Sequence, residues 1–522
     1  GIIIRGYIFP YEVPFSVDAL DIFTYALKTS QTFSMPEGFA LSNNGWPLFI
    51  SLFFSIFNTG SFFELVHLQR ILSIIFSILT VIPIYYLASK LFNKSLALVA
   101  ISLFIFDFRL IIDSVQGGNM PIFIFLTTLG LCLFFKTQKM IYLSFVIFAL
   151  AAVVRYEGLL IFLPISIMYF IRFRKQKIKL FKYLIAISLA LLILLPIAYL
   201  RIDNTGSDGF TNGFSAITSY YNNELLTGYS AQCPHDNPSC VTKMINDEPW
   251  TEPGKDNVTP FIIEGLSGLI KYFSWISIPV FFIFLIPSLF FILKNQSFRR
   301  INFETWTIIF SSLILLLPAF YAYGRHFEEA RYLFIIFPFI SILCLNGLNF
   351  ERLKQSKFFI LIMIGVILVI STGAISYKDM EFNNQYNREV FEISTHITNN
   401  VNGINYFYPE SQFIKSAEAY EKWPDTLDIN SRWSSHVFRT TNLIDSANYN
   451  SLIDFIKDSE LKGLSHLYTD GKNFRNKIET DVFHNEQDYP YLIKEYDSKD
   501  KGLDYHVKIF KIDYEKFRMI NE

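Results

Sequence analysis

Residues 65–89 read LVHLQRILSIIFSILTVIPIYYLAS; after Lys90-Leu91-Phe92-Asn93-Lys94, residues 95–112 continue as SLALVAISLFIFDFRLII. A helix that crosses a bilayer needs about 20 predominantly apolar residues, and both blocks come close to that. The interruption between them is short and basic, which reads as two spans joined by a turn on the cytoplasmic side. Working outward, similar blocks occupy 120–136, 140–155, 158–171, 183–200, 272–293, 303–323, 332–347 and 358–374. The short run Ile2-Ile3-Ile4 after Gly1 lacks the basic start and long apolar core of a signal peptide, and reads as the end of a first span that begins upstream. The expected fold is a polytopic α-helical membrane protein with a C-terminal soluble α/β domain. Counting the truncated first span, it has about eleven spans.

Composition points the same way. Of 522 residues 52% are hydrophobic, 56 are phenylalanine and only 17% are charged, against about a quarter charged in an ordinary soluble chain. The net charge of −1 supplies no global basic field, so nucleic acid is not an expected partner.

Lys and Arg cluster at Lys90/Lys94, Lys136/Lys139, Arg172–Lys182, Lys294–Arg300 and Arg352–Lys357. With the spans above, all five clusters fall on one face, which the positive-inside rule assigns to the cytoplasm. The loops 5–64, 113–119, 155–157, 201–271 and 324–331, and the tail from 375, then face the other way. Trp46–Phe57 is too short to span and contains Pro47, so it reads as an interfacial or re-entrant helix.

These boundaries divide the chain into a transmembrane domain, 1–374, and an extracytoplasmic soluble domain, 375–522. In the tail, Asn387–Thr398 and Ser451–Leu461 have helical spacing, while Ile404–Tyr408 and Ser465–Tyr468 read as strands. Tyr491–Tyr496 and His506–Ile512, joined by a turn rich in Lys, Asp and Gly, read as a hairpin.

The chemistry-bearing residues gather in the outer loops. Asp18 and Asp21 are three apart and share one face of a helix, where Asp18 and Ser16 also suit an N-terminal cap. Asp113-Ser114-Val115-Gln116-Gly117-Gly118-Asn119 is a polar link with turn chemistry. Arg155-Tyr156-Glu157-Gly158 sets opposite charges two apart between apolar blocks, either as a mutual ion pair or as a functional group. Gly324-Arg325-His326-Phe327-Glu328-Glu329-Ala330-Arg331-Tyr332 offers guanidinium forks suited to phosphate, or an interfacial anchor. Cys132 and Cys344 read as small core residues, while Cys233 and Cys240 are either free thiols or a local disulfide in an oxidising compartment. His235 and His326 read as surface residues. No His/Cys cluster with metal-ligand spacing, phosphate-cradling glycine loop or nucleophile elbow occurs.

The order of these segments resembles the GT-C glycosyltransferases that use polyprenyl-phosphate sugars, such as protein O-mannosyltransferases and lipid A aminoarabinose transferases. Pro14–Ala26, then Asn44-Gly45-Trp46-Pro47-Leu48, then Gln69-Arg70-Ile71-Leu72-Ser73 follow the group's order, and Arg155-Tyr156-Glu157-Gly158-Leu159 and Arg331-Tyr332-Leu333 are similar to its recurrent segments. The likeness covers 1–374. It departs from the group where Ala19 follows Asp18 in place of Glu, and where Asn119 stands near a second-loop Asp, unless Asp113 serves instead.

The resemblance implies an integral membrane enzyme of the plasma membrane or its equivalent, with the active site outside the cytoplasm. It implies a polyprenyl (dolichyl-type) phosphate sugar as donor, a protein or a lipid or glycan acceptor, and inversion at the anomeric carbon. By the same resemblance Asp18 is the candidate general base, and Arg331 with Arg155, Arg325 and Tyr332 the candidate phosphate-binding group. Asp21, Asp113, Asn119 and Glu157 are further site candidates. No cofactor is specified, and a divalent metal beside the carboxylates is left open. The competing reading is a transporter or flippase of lipid-linked or polar cargo, which requires broken helices with ionisable residues near mid-span.

Overall fold

A computed structural model describes residues 1–521 apart from 16, 37–40, 42, 58–60, 212–257, 279, 283, 287, 289–301, 326, 328, 346–356, 378–379, 406, 408–409, 424–441, 447–448, 450 and 472–476. The Cys233/Cys240 pairing, Ser16, His235, His326, Glu328, the basic cluster 294–300 and most of 352–357 lie outside the described residues. The chain divides into two compact units. One comprises Gly1–Phe9, Lys28–Ile56 and Leu68–Lys378; the other comprises Pro10–Leu27, Phe57–His67 and Asp379–Glu522.

The first unit is helical, and its helices follow the apolar blocks. Among the described residues, three are long and apolar enough to cross a membrane: Phe62–Leu91, Lys179–Thr205 and Phe303–Gly324. The number rises to five if each of two bent helix pairs is one span. The protein is therefore an integral membrane protein, since only helices and closed barrels satisfy their own backbone within a bilayer. Gly45–Ile56, Met120–Phe135, Gln138–Val154, Ala330–Leu343 and Phe358–Ala374 are apolar but shorter. About eleven spans thus remains the count of apolar blocks, while helix length alone supports three to five.

Local chemistry explains where several helices stop or start. The Asn93 carboxamide accepts from the Leu96 amide at 2.7 Å and caps Lys94–Ile105. The chain bends by 55° before Phe108–Val115, where Asp107 accepts the Arg109 amide at 2.9 Å and opens the new helix. Deeper in the unit, Arg5 is fully buried and donates to Ser114 and Ser77, at 2.9 Å each, and to the carbonyls of Gly1 and Ile105 at 3.3 Å, so its charge-bearing donors are taken up. Cys132 and Cys344 are buried free thiols, as their apolar setting predicts.

The second unit is built on a five-stranded sheet in the order β2-β1-β3-β5-β4. Its strands are β1 (Gly403–Asn405), β2 (Asn442–Ile444), β3 (His466–Thr469), β4 (Leu492–Asp497) and β5 (Lys508–Ile512). Gly403 pairs with Asn442 and Ile404 with His466 in parallel. Leu467 pairs with Phe510 and Leu492 with Ile512 antiparallel, the latter in the hairpin read from sequence.

Successive side chains of a strand leave opposite faces, and the cores follow that rule. Tyr468 and Ile509 join one apolar cluster with Val390, Ile397, Phe413 and Ile414. Their neighbours Leu467 and Phe510 join another with Leu452, Phe455, Ile456, Val482 and Phe517. Helices Met380–Asn400 and Ile414–Glu421 thus cover one face, and Leu452–Glu460, Lys477–His484 and Tyr514–Asn521 the other.

The unit also contains residues from far upstream in the chain. Val13 is buried in the first of those clusters. Ser416 donates its hydroxyl to the Phe15 carbonyl across 401 residues of sequence. The rings of Phe23 and Phe62 lie against Trp423 at 6.5 and 5.6 Å.

Candidate active site

Arg155 follows helix Gln138–Val154 in an extended conformation, and a 3-10 turn, Tyr156–Ile161, begins at the next residue. Gly158 packs so closely on that helix that a Cβ would lie 2.7 Å from the Ala152 amide nitrogen. On one continuous helix, residues two apart do not face each other. This break is what lets Arg155 donate to the Glu157 carboxylate at 2.7 Å. A second Arg155 donor reaches the Asn119 carboxamide at 3.0 Å, and the guanidinium lies 5.8 Å from the Phe123 ring centre. Asn119 is brought there by the tight link after Phe108–Val115, where Gly117 adopts φ 77°, a conformation that favours glycine. The Gly117 carbonyl accepts from Trp46 at 3.1 Å and from Gln69 at 2.9 Å. The turn read from Asp113–Asn119 is thus held from two other helices.

Arg155 and Glu157 line a cleft with Met120, Phe123, Leu315, Pro318, Tyr332 and Ile335. One oxygen of Glu157 and one of Asp113 are buried without a hydrogen-bond partner among the described residues. Both Arg331 and Arg155 act electrostatically on Asp113. Arg331 itself is half-exposed, is paired with Glu329 and lies 6.0 Å from the Tyr332 ring centre. The structure therefore brings together Arg155, Glu157, Asn119, Asp113, Arg331 and Tyr332. It leaves Arg325 elsewhere, bonded to the Tyr321 hydroxyl at 3.3 Å and lying against the rings of Tyr321 and Phe327.

Asp18 and Asp21 belong to the other unit, in the first turns of helix Val17–Thr32. Asp18 is exposed and Asp21 half-buried. Burial pushes the Asp21 carboxyl up to about 6; the Lys415 ammonium opposes the rise, and the neighbouring Asp18 adds to it. No group of three or more His, Cys, Asp or Glu side chains is arranged to hold a metal ion among the described residues.

Sequence reading did not single out Arg201. At the far end of helix Lys179–Thr205 it donates to the Asn44 carboxamide at 2.9 Å and to the Val153 carbonyl at 3.1 Å, and Asn43 accepts the Tyr156 amide at 3.1 Å. Asn43 and Asn44 thereby brace the end of the helix from which Arg155 emerges. The adjacent Asn43-Asn44 pair was the available signal, but nothing local to it names an arginine 157 residues away.

The bent pair carrying Asp107 and Arg109 is the feature a transporter reading requires, but its polar groups are used internally. Asp107 caps its own helix and lies 3.6 Å from Arg109. Arg109 donates to the carbonyls of Trp275 and Ile278 at 2.7 Å each and of Ile276 at 3.1 Å, closing the end of helix Val258–Ser277.

The Arg155 guanidinium is thus held by a carboxylate and a carboxamide at the wall of a cleft whose other lining is mostly apolar. Residues 45–200 match the family of dolichyl-phosphate-mannose-protein mannosyltransferases. That segment carries Arg155 and Glu157, and the family it matches lies within the group that the sequence resembles. Comparison with curated proteins gives no match.

Solved structures similar to the chain include the oligosaccharyltransferase of Archaeoglobus fulgidus in complex with Zn and sulfate. It is 12% identical, covers 88% of this chain and 64% of its own, and has a TM-score of 0.46. Another is the archaeal oligosaccharyltransferase AglB from the same organism with an inhibitory peptide and a dolichol-phosphate, at 12% identity, 92% and 69% coverage and a TM-score of 0.46. The chain thus spans about two thirds of the length of these archaeal enzymes.

Proposed function

We propose that the chain transfers a sugar from a polyprenyl-phosphate donor to an extracytoplasmic acceptor in a single displacement with inversion. The observation that carries this reading is the match of residues 45–200 to a lipid-phosphate-sugar transferase family, in the same segment that holds Arg155 against Glu157 and Asn119. In this mechanism Asp18 takes the proton from the acceptor hydroxyl as its oxygen attacks the anomeric carbon. The C–O bond to the phosphate breaks through an oxocarbenium-like transition state, and the electron pair leaves with the phosphate. The leaving group is already acidic, so no general acid is required. What it needs is charge stabilisation, which falls to Arg155 and Arg331, with Tyr332 at the wall of the cleft.

Asn119 and Glu157 hold Arg155 in one orientation, so its fork need not reorganise as negative charge develops. Asp113 moderates the charge of both arginines. Asp21 belongs to the acidic pair with Asp18. Arg325, bound to Tyr321, has a supporting role at most.

The positive-inside pattern supports an extracytoplasmic orientation for the first loop and for the C-terminal domain, 375–522, that follows the membrane domain, 1–374. The acceptor class drawn from the relatives is a protein or peptide, with a lipid or glycan as the other choice.

The test uses the purified full chain in lipid, supplied with polyprenyl-phosphate sugars and a panel of peptide and lipid acceptors. The expected result is transfer with inversion by wild type, and a rate lower by about 10²–10⁴-fold in Asp18→Asn. Transfer by the variant at the wild-type rate would remove Asp18 from the mechanism. No transfer by wild type from any such donor would reject the class.

A further inference from the structure

The acidic pair sits on a segment that the C-terminal part of the chain holds on both sides. Ahead of Asp18, Glu12 pairs with Arg388 at 3.0 Å, Val13 is buried in the core cluster that contains Ile414 and Ala417, and Phe15 accepts the Ser416 hydroxyl. Beyond Asp21, the Phe23 ring lies 6.5 Å from Trp423 and 5.4 Å from Phe62, which in turn meets Tyr420 at 5.8 Å. Apart from the Glu12–Arg388 pair, whose arginine lies on helix Met380–Asn400, these contacts converge on helix Ile414–Glu421 and the residues just after it. Lys415 sits on that helix between the buried Ile414 and the buried Ser416, and its side chain is half-buried.

We propose that Lys415 is a positioning residue for the acidic pair, its ammonium compensating the Asp21 carboxylate beside Asp18. The inference rests on the assignment of Asp18 as general base. Two carboxylates three apart on one helical turn oppose each other's ionisation, and partial burial makes the cost larger for Asp21. A cation supplied by the C-terminal helix offsets both effects. The charged groups that act on Asp21 are Asp18, from its own helix, and Lys415, from the clamping helix. Glu418, three residues past Lys415, is fully buried, and Glu12 is engaged by Arg388.

The arrangement accounts for Lys415 following a buried apolar residue on a helix that otherwise serves as core. It also gives the C-terminal domain a part in the chemistry, since the cation for an N-terminal acid comes from about 400 residues downstream, a distance set by the neighbouring Ser416–Phe15 bond.

The experiment compares wild type, Lys415→Met, Lys415→Arg and Arg388→Met as full chains in lipid. Transfer rate against pH is one readout; carbodiimide labelling of Asp21 against pH, read by mass spectrometry, is the other. Carbodiimide reacts with the protonated carboxyl, so its midpoint follows Asp21 whether or not the protein transfers sugar.

In Lys415→Met the labelling midpoint is expected to rise by about one pH unit or more. The acid limb of the rate profile should move up with it, and the plateau at high pH should recover. Lys415→Arg should return both to wild type. Arg388→Met, which opens only the exposed clamp, should leave both where they were. An unchanged midpoint in Lys415→Met would overturn the proposal even if transfer were confirmed, as would an Arg variant that behaves like Met. A shifted midpoint in a protein that transfers nothing would uphold the charge pairing while rejecting the reaction assigned to the pair.

Discussion

Arg155 and Asp21 are both ionisable groups drawn out of water, yet the chain holds them in opposite ways. Arg155 takes its main partner from two residues along the chain, and its second from a polar turn 36 residues upstream. Asp21 faces a cation from the far end of the sequence, and its own neighbour Asp18 works against it. One site is made by a local break in a helix, the other by long-range packing of an α/β domain. The lesson is about robustness. A locally built ion pair forms whenever the helix break forms, whereas a pair built across the chain exists only when the whole domain has folded.

Three measurements press on this contrast. The largest expected effect is that of Arg155→Met, which strands Glu157 as a buried carboxylate with one oxygen already lacking a partner. Removing one member of such a pair costs about 3–5 kcal/mol. Thermal unfolding in detergent should show the loss, and Arg155→Met/Glu157→Gln should regain stability but not transfer. If the double variant recovered transfer as well, Arg155 would be structural only.

The next effect is in pH dependence. Asp21 titrates near 6 when folded, against 3.8 for the free side chain, so the folded state binds the proton more tightly. Its contribution is complete below about pH 4 and is lost as pH rises through 6, on the order of 3 kcal/mol at most. Asp21→Asn should remove that slope from a plot of melting temperature against pH between 4 and 7. A slope identical to that of wild type would mean that another group titrates there.

The smallest stability effect is expected for Arg331→Met. Its partner Glu329 is about half-exposed, like Arg331 itself, and such pairs contribute about 0–1 kcal/mol. Melting should barely move, while the KM for the lipid-phosphate donor should rise. A large loss of stability with unchanged KM would reverse the roles assigned to Arg331 and Arg155.

Much of this was legible in the chain because the signals are local. The apolar blocks became helices, since burial in lipid or protein acts on twenty consecutive residues at once. The hairpin of β4 and β5 follows from two alternating runs and the turn between them. Helix Leu452–Glu460 begins where Ser451 caps it, within the segment read as Ser451–Leu461. Arg155 and Glu157 form the ion pair that their spacing offered as one of two readings.

The span count was less legible. The helix break at Asp107 interrupts an apolar run, 95–112, that looks continuous to a hydropathy reading. Asn93-Lys94-Ser95 resembles a glycosylation signal, yet Asn93 is a helix cap.

By itself, then, the sequence determined the class of fold, the order of its apolar blocks, and the short list of charged residues worth attention. It could do so because helix formation, membrane burial and charge placement depend on neighbours within a few turns. Only the tertiary structure decided that Pro10–Leu27 folds as part of the C-terminal unit. It alone brought Arg201 to Asn44, set the strand order β2-β1-β3-β5-β4 and gave Asp21 its cation in Lys415. Those pairings depend on which distant surfaces bury one another, and no periodicity or spacing along the chain encodes that choice.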